Sequence, residues 1–150
     1  MIKKVVLVST LFAVVSLGCS KKDEATPSKS KEDMLTGGSS KTWKPSSEKV
    51  NGIVTPLPEC EKDNKFVLNI NGNYTNNYGT LYCDEFEPLD TSTKKWSLNA
   101  AKDSFLITVT FGTQTVKSGA KILEITDSKI VVSTTDKQTS VVTETTSVPE

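Results

Sequence analysis

A dipeptide typical of tight hairpin turns, Asn71-Gly72, most constrains what this chain can fold into. The residues on both sides alternate with polar or smaller ones: Phe66, Leu68 and Ile70 before the dipeptide, and Tyr74, Asn76 and Tyr78 after it. A period of two is the period of a β-strand, and Asn-Gly supplies the positive φ angles that a tight turn requires. We therefore predict a hairpin with strands at 65–70 and 74–78.

The same alternation recurs through most of the chain. The predicted strands are 41–50, 65–70, 74–78, 94–99, 104–111, 121–126, 129–134 and 139–147, with a loop at 51–64, and Pro45 predicts an edge or a bulge in the first strand. No ten-residue apolar stripe at helical spacing occurs here, and the connections are too short for a parallel crossover. We therefore predict an all-β domain over 37–147 with a tail at 148–150: an antiparallel up-and-down meander of about eight strands, forming a closed or half-open barrel.

The first 18 residues are typical of a secretory signal peptide. Two lysines precede a thirteen-residue apolar run, Val5 to Leu17, which is too short to span a bilayer. Gly18-Cys19 then resembles the lipobox of bacterial lipoproteins, although Ser16 stands where that motif usually has Leu. The resemblance implies that Cys19 is lipidated, and several acyl chains would make anchoring effectively permanent. The alternative is a plain secretory peptide cut near a chance cysteine.

Residues 19–36 are rich in Ser and Lys and predict a flexible tether. Lys22-Asp23-Glu24 is similar to a signal that, in some Gram-negative groups, carries lipoproteins to the outer face of the outer membrane; chance occurrence in a charged linker is the alternative. Ser30 as N-cap, Asp33 at the capping-box position and Gly37-Gly38 as terminator predict a short helix at the end of the tether. We expect an outer-membrane, lipid-anchored protein exposed on the cell surface.

Two cysteines remain once Cys19 is lipidated, in a compartment that oxidises thiols. We predict a structural disulfide between Cys60 and Cys83, which would hold the open end of the hairpin. A redox or metal role has little support, because the chain contains no His and no Cys-x-x-Cys spacing.

The arrangement as a whole resembles the lipocalin-like domain family found in small bacterial lipoproteins. The resemblance covers about 35–135 and rests on these residues: Leu35-Thr36-Gly37 before Trp43; Cys60 to Asn64 before Phe66; Asn71 to Thr75; Gly79 and Cys83; Lys95 to Leu98; and Ile122 to Ile125 before Ile130 to Val132. The family implies a barrel with small-molecule binding and assigns no catalytic residue. The chain departs from the family pattern in two ways. Four residues separate Gly38 from Trp43, whereas the Gly and Trp of the family normally lie close together. The chain also lacks the Arg that packs across this Trp in classical lipocalins.

Aromatic residues in the predicted strands are the candidate ligand-binding residues. They are Trp43, Phe66, Tyr74, Tyr78, Trp96, Phe105 and Phe111. If they leave space inside the barrel, an apolar pocket with tyrosine hydroxyls at its mouth would suit a small apolar or amphipathic molecule. The alternative is that these side chains simply fill the barrel.

Carboxylates gathered by the disulfide are a second candidate site. Glu61 and Asp63 would approach Asp84 and Glu85, and oxygen-rich groups of this kind bind Ca²⁺. A solvated acidic rim is the alternative interpretation.

The composition narrows the function classes. The chain has neither His nor Arg and no net charge, so it lacks the commonest general base, the bidentate phosphate binder and a basic field for nucleic acid. We expect a monomeric, non-enzymatic protein without a cofactor and without a nucleic-acid partner. Its function would be binding a small apolar or amphipathic molecule, or contacting a protein or glycan through the loops of a filled barrel.

Overall fold

A computed structural model describes residues 28–150 of the chain. The predicted signal peptide, the lipidation site Cys19 and most of the tether lie outside the described residues. Within 28–150, no helix is long and apolar enough to cross a membrane.

The described residues form one short helix and nine strands, with two single turns of 3₁₀ helix at Glu59–Glu61 and Glu87–Leu89. The elements are α1 (Lys31–Thr36), β1 (Ser40–Val50), β2 (Ile53–Thr55), β3 (Lys65–Asn69), β4 (Asn73–Asn77), β5 (Thr93–Leu98), β6 (Ser104–Phe111), β7 (Gln114–Ile125), β8 (Ile130–Thr135) and β9 (Val142–Pro149). All pairings between strands are antiparallel. The prediction of an antiparallel all-β fold is therefore confirmed.

The sheet closes into a barrel because β1 pairs with β9 as well as with β3. Eight strands form the barrel, and β2 is an additional strand on β1 beyond the end of β3. The register of β1 against β9 shifts between Pro45 and Ser47, which confirms the irregularity predicted at Pro45. Closure leaves β1 and β9 without a free edge where they pair.

The β3–β4 hairpin forms as predicted, with one correction to its turn. Gly72 has φ of 82°, whereas Asn71 does not adopt a positive φ. The Oδ1 atom of Asn71 instead accepts a hydrogen bond of 3.0 Å from the backbone N–H of Asn73. An Asx-type interaction therefore replaces one of the two predicted left-handed residues.

The packed core lies at one end of the barrel. Five apolar side chains are buried there and form one cluster: Leu35, Trp43, Leu68, Trp96 and Ile130. The indole N–H of Trp43 donates a hydrogen bond of 2.8 Å to the backbone oxygen of Leu35, which fixes α1 against the sheet. We call this end the closed end, and the opposite end, where loops 51–64 and 78–92 lie, the mouth.

Helix α1 forms with the predicted caps. The side chain of Ser30 accepts a hydrogen bond of 3.0 Å from the backbone N–H of Asp33, and Gly37 ends the helix with φ of 61°. Leu35 and Thr36 are fully buried. The predicted short helix is therefore packed as part of the folded domain, six residues before the predicted start of the barrel at residue 37.

Three further boundaries differ from the prediction. The predicted loop at 51–64 contains β2 and a 3₁₀ turn, and β7 begins seven residues before the predicted strand at 121. The predicted tail at 148–150 belongs to the barrel, because β9 runs to Pro149 and the backbone N–H of Glu150 donates to the oxygen of Thr42.

Candidate functional site

A cavity of about 340 Å³ occupies the interior of the barrel beyond the packed core. Residues of seven strands line it: Pro45, Phe66, Tyr74, Phe105, Ile107, Ser118, Gly119, Ala120, Ile130, Val132, Thr134, Thr145 and Ser147. Its volume lies at the small end of the range for ligand sites, and its walls are mainly apolar with a few hydroxyl groups, as such sites usually are.

The cavity exists because large and small side chains face each other across the barrel. Phe66 and Tyr74 stack with ring centroids 5.7 Å apart on one wall. Residues opposite one another in an antiparallel pair share a face, and β7 places Ala120 opposite Phe105 and Ser118 opposite Ile107. Short side chains at these two positions leave the interior unfilled.

A smaller pocket of about 200 Å³ adjoins the cavity at the mouth. The two share Pro45, Phe66 and Tyr74 in their walls, and the mouth pocket adds Asn64, Lys65, Asn76, Asn77 and Tyr78. The path from solvent into the barrel therefore changes from polar at the mouth to apolar in the interior.

Tyr74 lines both the mouth pocket and the cavity. Burial raises the pKa of its phenol, and the nearby Tyr78 raises it further. The hydroxyl is therefore neutral at physiological pH and can both donate and accept a hydrogen bond.

A hydrogen-bonded cluster holds the side of the mouth between β4 and β5. The hydroxyl of Tyr78 donates to Oδ2 of Asp90 at 2.7 Å and accepts from Nδ2 of Asn76 at 2.8 Å. Lys94 forms an ion pair with Asp90 and donates to the Tyr78 hydroxyl at 3.1 Å. The side chains of Lys94 and Asp90 are 11% and 14% exposed, so this pair is largely buried.

An outer cleft of about 770 Å³ lies beside this cluster. It forms because β4 and β5 share only two residue pairs, Asn73 with Lys95 and Tyr74 with Lys94, and then diverge toward the mouth. Its walls carry mostly polar side chains, so the interior cavity, whose walls are mainly apolar, is the better site for an apolar ligand.

The seven predicted aromatic residues separate into four groups. Phe66, Tyr74 and Phe105 line the interior cavity, and Tyr78 lines the mouth. Trp43 and Trp96 do not line the cavity, because they are buried in the core at the closed end. Phe111 shares a strand face with Phe105 but lies at the rim of the mouth, where it is 54% exposed.

The disulfide between Cys60 and Cys83 forms as predicted, and it joins the loop before β3 to the loop after β4. It therefore connects two loops that border the mouth. Sequence reasoning missed the rest of the mouth and the cavity wall: neither Asp90, Lys94 nor the small residues of β7 carried a recognisable signal.

The predicted calcium site does not assemble. Within residues 28–150, no three acidic, cysteine or histidine side chains are placed to hold a metal ion. Asp63 instead accepts hydrogen bonds from the backbone and hydroxyl of Thr80, which lower the pKa of its carboxyl. Asp84 accepts from the backbone N–H groups of Phe86 and Glu87. These carboxylates are used to fix loop turns.

The other two carboxylates of the predicted calcium site are Glu61 and Glu85. Burial raises the pKa of the Glu61 carboxyl, and the negative charges of Glu48 and Glu87 raise it further. Glu85 is exposed.

The fold and cavity agree with the comparison to protein families, in which the model of the lipocalin-like domain matches residues 40–132. The chain belongs to the lipocalin-like domain family. The comparison with curated proteins found no match.

This lipocalin-like domain extends beyond the matched residues at both ends. Helix α1 precedes the match and β9, which closes the barrel, follows it. At the closed end, Lys41 lies across Trp43 with its Nζ 4.4 Å from the ring centroid. A lysine thus makes the cation–π contact for which classical lipocalins use an arginine.

Proposed function

We propose that this protein binds a small apolar or amphipathic molecule inside its barrel. The observation that carries the proposal is the cavity of about 340 Å³, with Phe66, Tyr74 and Phe105 in its walls. Burial of apolar ligand surface against these rings would supply the binding free energy, at roughly 25 cal/mol per Å² of apolar surface. The protein would act as a monomer, without catalysis and without a cofactor.

A cavity-filling substitution tests the binding site. Ala120→Leu places a larger side chain opposite Phe105, and Ala100→Leu makes the same change in an exposed turn. We expect Nile red fluorescence to rise on binding to the unchanged protein and to the Ala100 variant, and to fall sharply for the Ala120 variant. Equal dye binding by all three proteins would overturn the proposal.

We further propose that the protein is lipid-anchored in the cell envelope through Cys19, and that it is exposed on the surface of the outer membrane. The support is the apolar run ending at Gly18-Cys19 and the Lys22-Asp23-Glu24 segment that follows. Cys19→Ala should move the protein from the membrane fraction to the soluble fraction, whereas Ser20→Ala should not. Continued membrane association of the Cys19 variant would refute the anchor.

Protease treatment of intact cells tests surface exposure. If the protein is exposed on the cell surface, the added protease should digest it. Protection from protease in intact cells, lost when the outer membrane is permeabilised, would place it on the inner face instead.

Exposed apolar side chains at the mouth favour a second function, contact with a protein or glycan partner. Phe86 and Leu89 are 69% and 71% exposed on the loop after β4, and Phe111 faces them across a shallow pocket. Replacing Phe86 and Leu89 with Ser should abolish such a contact in cells without changing Nile red binding. If the cellular role is lost when Phe86 and Leu89 are replaced but is kept after Ala120→Leu, the result would support this second function over ligand binding.

A further inference from the structure

The inner face of β4 carries two polar side chains at the point where the mouth pocket meets the cavity. Tyr74 and Asn76 are two residues apart on this strand and therefore point to the same side. Tyr74 lines both spaces, and Asn76 lines the mouth pocket. A ligand whose apolar part occupies the cavity would have its end group beside these two side chains.

Asn76 uses one of the four hydrogen bonds that its side-chain amide can form. The Tyr78 hydroxyl donates its proton to Asp90, so it can only accept from Asn76, whose Nδ2 lies 2.8 Å away. This fixes the orientation of the amide. Within residues 28–150, its Oδ1 atom has no hydrogen-bond partner, so it remains a free acceptor.

The hydroxyl of Tyr74 has no hydrogen-bond partner among the described residues either. It is neutral, because burial raises the pKa of the phenol. Together the two side chains offer the Oδ1 acceptor and the second Nδ2–H donor of Asn76, and the hydroxyl of Tyr74, which can donate or accept.

Two lysines line the pockets, Lys65 in the mouth pocket and Lys94 in the outer cleft, and both form ion pairs. Lys65 pairs with Glu150 and Lys94 pairs with Asp90. A carboxylate entering there could accept hydrogen bonds from Tyr74 and from Nδ2 of Asn76, but it would leave Oδ1 of Asn76 unpaired and would gain no unpaired cation from the pocket walls. A plain hydrocarbon would leave the polar groups of both Tyr74 and Asn76 unsatisfied, which costs binding free energy.

We propose that the site selects an uncharged amphiphile with a hydroxyl-bearing end group. Its apolar chain lies in the cavity, and its hydroxyl donates to Oδ1 of Asn76 and accepts from the hydroxyl of Tyr74. This inference rests on the proposed ligand-binding function and adds the chemical class of the ligand. Tyr74 and Asn76 are then the residues that determine specificity.

Competition against Nile red with three ligands of equal chain length tests the selection. The ligands are 1-decanol, its methyl ether, which can accept but not donate, and decanoate, which carries a charge. We expect decanol to displace the dye at concentrations about tenfold lower than decanoate and severalfold lower than the ether, because a site built to bond a hydroxyl discriminates against analogues that lack it.

Tyr74→Phe provides the matched variant, since it removes one hydroxyl and leaves the stacked ring. It should weaken decanol binding about fivefold and ether binding to a similar extent, because both ligand oxygens accept a hydrogen bond from this hydroxyl. Tyr82→Phe, on the exposed loop after β4, should change nothing.

The outcomes separate this inference from the proposed function. Decanoate competing as well as decanol, or decanol binding that is unchanged by Tyr74→Phe, would overturn the selection while the dye still reports a working cavity. Nile red that binds equally well after Ala120→Leu would overturn the cavity as the binding site itself.

Discussion

Lys41 lies over the indole ring of Trp43, with its Nζ 4.4 Å from the ring centroid. The same ammonium group donates hydrogen bonds to the backbone oxygens of Met34, at 3.3 Å, and Asp127. One side chain therefore joins α1, β1 and the turn between β7 and β8 at the closed end. Since Trp43 also bonds to Leu35, these two residues together hold the helix that completes the core.

Removing the lysine should loosen the closed end. We expect Lys41→Ala to lower the free energy of unfolding by about 1–2 kcal/mol, because it removes a cation–π contact and two hydrogen bonds. Lys41→Arg should retain most of this stability, since a guanidinium can stack on the same ring. Urea unfolding measures the difference, with Lys117→Ala, on the exposed part of β7, as the control. Equal midpoints for the Lys41 and Lys117 variants would contradict the role assigned to Lys41.

The disulfide should stabilise the fold by restricting the unfolded chain. Cys60 and Cys83 are 23 residues apart in sequence, and closing a loop of this length contributes roughly 3 kcal/mol in the chain-entropy model. Double replacement by Ser should lower the urea midpoint accordingly, in a Cys19→Ala background that removes the third thiol. Dithiothreitol should reproduce this loss in the parent protein and have no effect on the double variant. A parent protein insensitive to the reductant would contradict the prediction.

Two glycines with similar backbone angles should respond differently to alanine. Gly79 and Gly112 have φ of 67° and 56°, so both substitutions carry the cost of a left-handed residue, about 1 kcal/mol. A Cβ on Gly79 would also clash with Cγ of Asp63, whereas nothing lies within 4 Å of one on Gly112. Gly79→Ala should therefore displace Asp63 from Thr80 and lower the thermal midpoint well below that of Gly112→Ala. Matching midpoints would mean that the close approach of Asp63 is not required.

The buried Asp90–Lys94 pair should make the free energy of unfolding depend on pH in the acidic range. Burial alone would raise the pKa of the Asp90 carboxyl, but hydrogen bonds from Lys94, Ser92 and Tyr78 outweigh burial and hold the pKa below its usual range. A carboxyl whose pKa is lowered by folding stabilises the protein above its unfolded pKa, about 4, and this stability is lost as pH falls toward the folded pKa.

Asp90→Asn should therefore lower the free energy of unfolding at pH 7 by roughly 2–3 kcal/mol. The gap between the variant and the parent protein should narrow as the pH falls below 4. Unfolding measured at several pH values checks this, with Glu85→Gln, in the same exposed loop, as the control. A gap that is constant from pH 7 to pH 3 would show that the charge of Asp90 does not contribute.

The sequence predicted the parts of the barrel in which apolar and polar residues alternate. Strand β6 has the predicted bounds, because Phe105, Ile107 and Val109 face inward between threonines and a leucine. The first half of β7 gave no such signal, since its inward residues opposite β6 include Ser118 and Ala120. The wall of a cavity lacks the large apolar side chains by which a strand is recognised, so the ligand site is hidden from sequence periodicity.

Other features depended on contacts that alternation cannot encode. Phe111 continues the inward face of β6 but lies beyond the end of the packed interior. Asp90 lies in a loop and Lys94 at the start of β5, and both bond to Tyr78, which follows β4. Strand β2, three residues long, is too short for a period to be recognised.

Intermolecular nuclear Overhauser effects between 1-decanol and the methyl groups of the protein test the central claim most directly. Binding inside the barrel predicts contacts from the decyl chain to Ile107 and Val132, which line the cavity. Contacts confined to Ile53 and Leu89, which are 72% and 71% exposed on the outside, would contradict it.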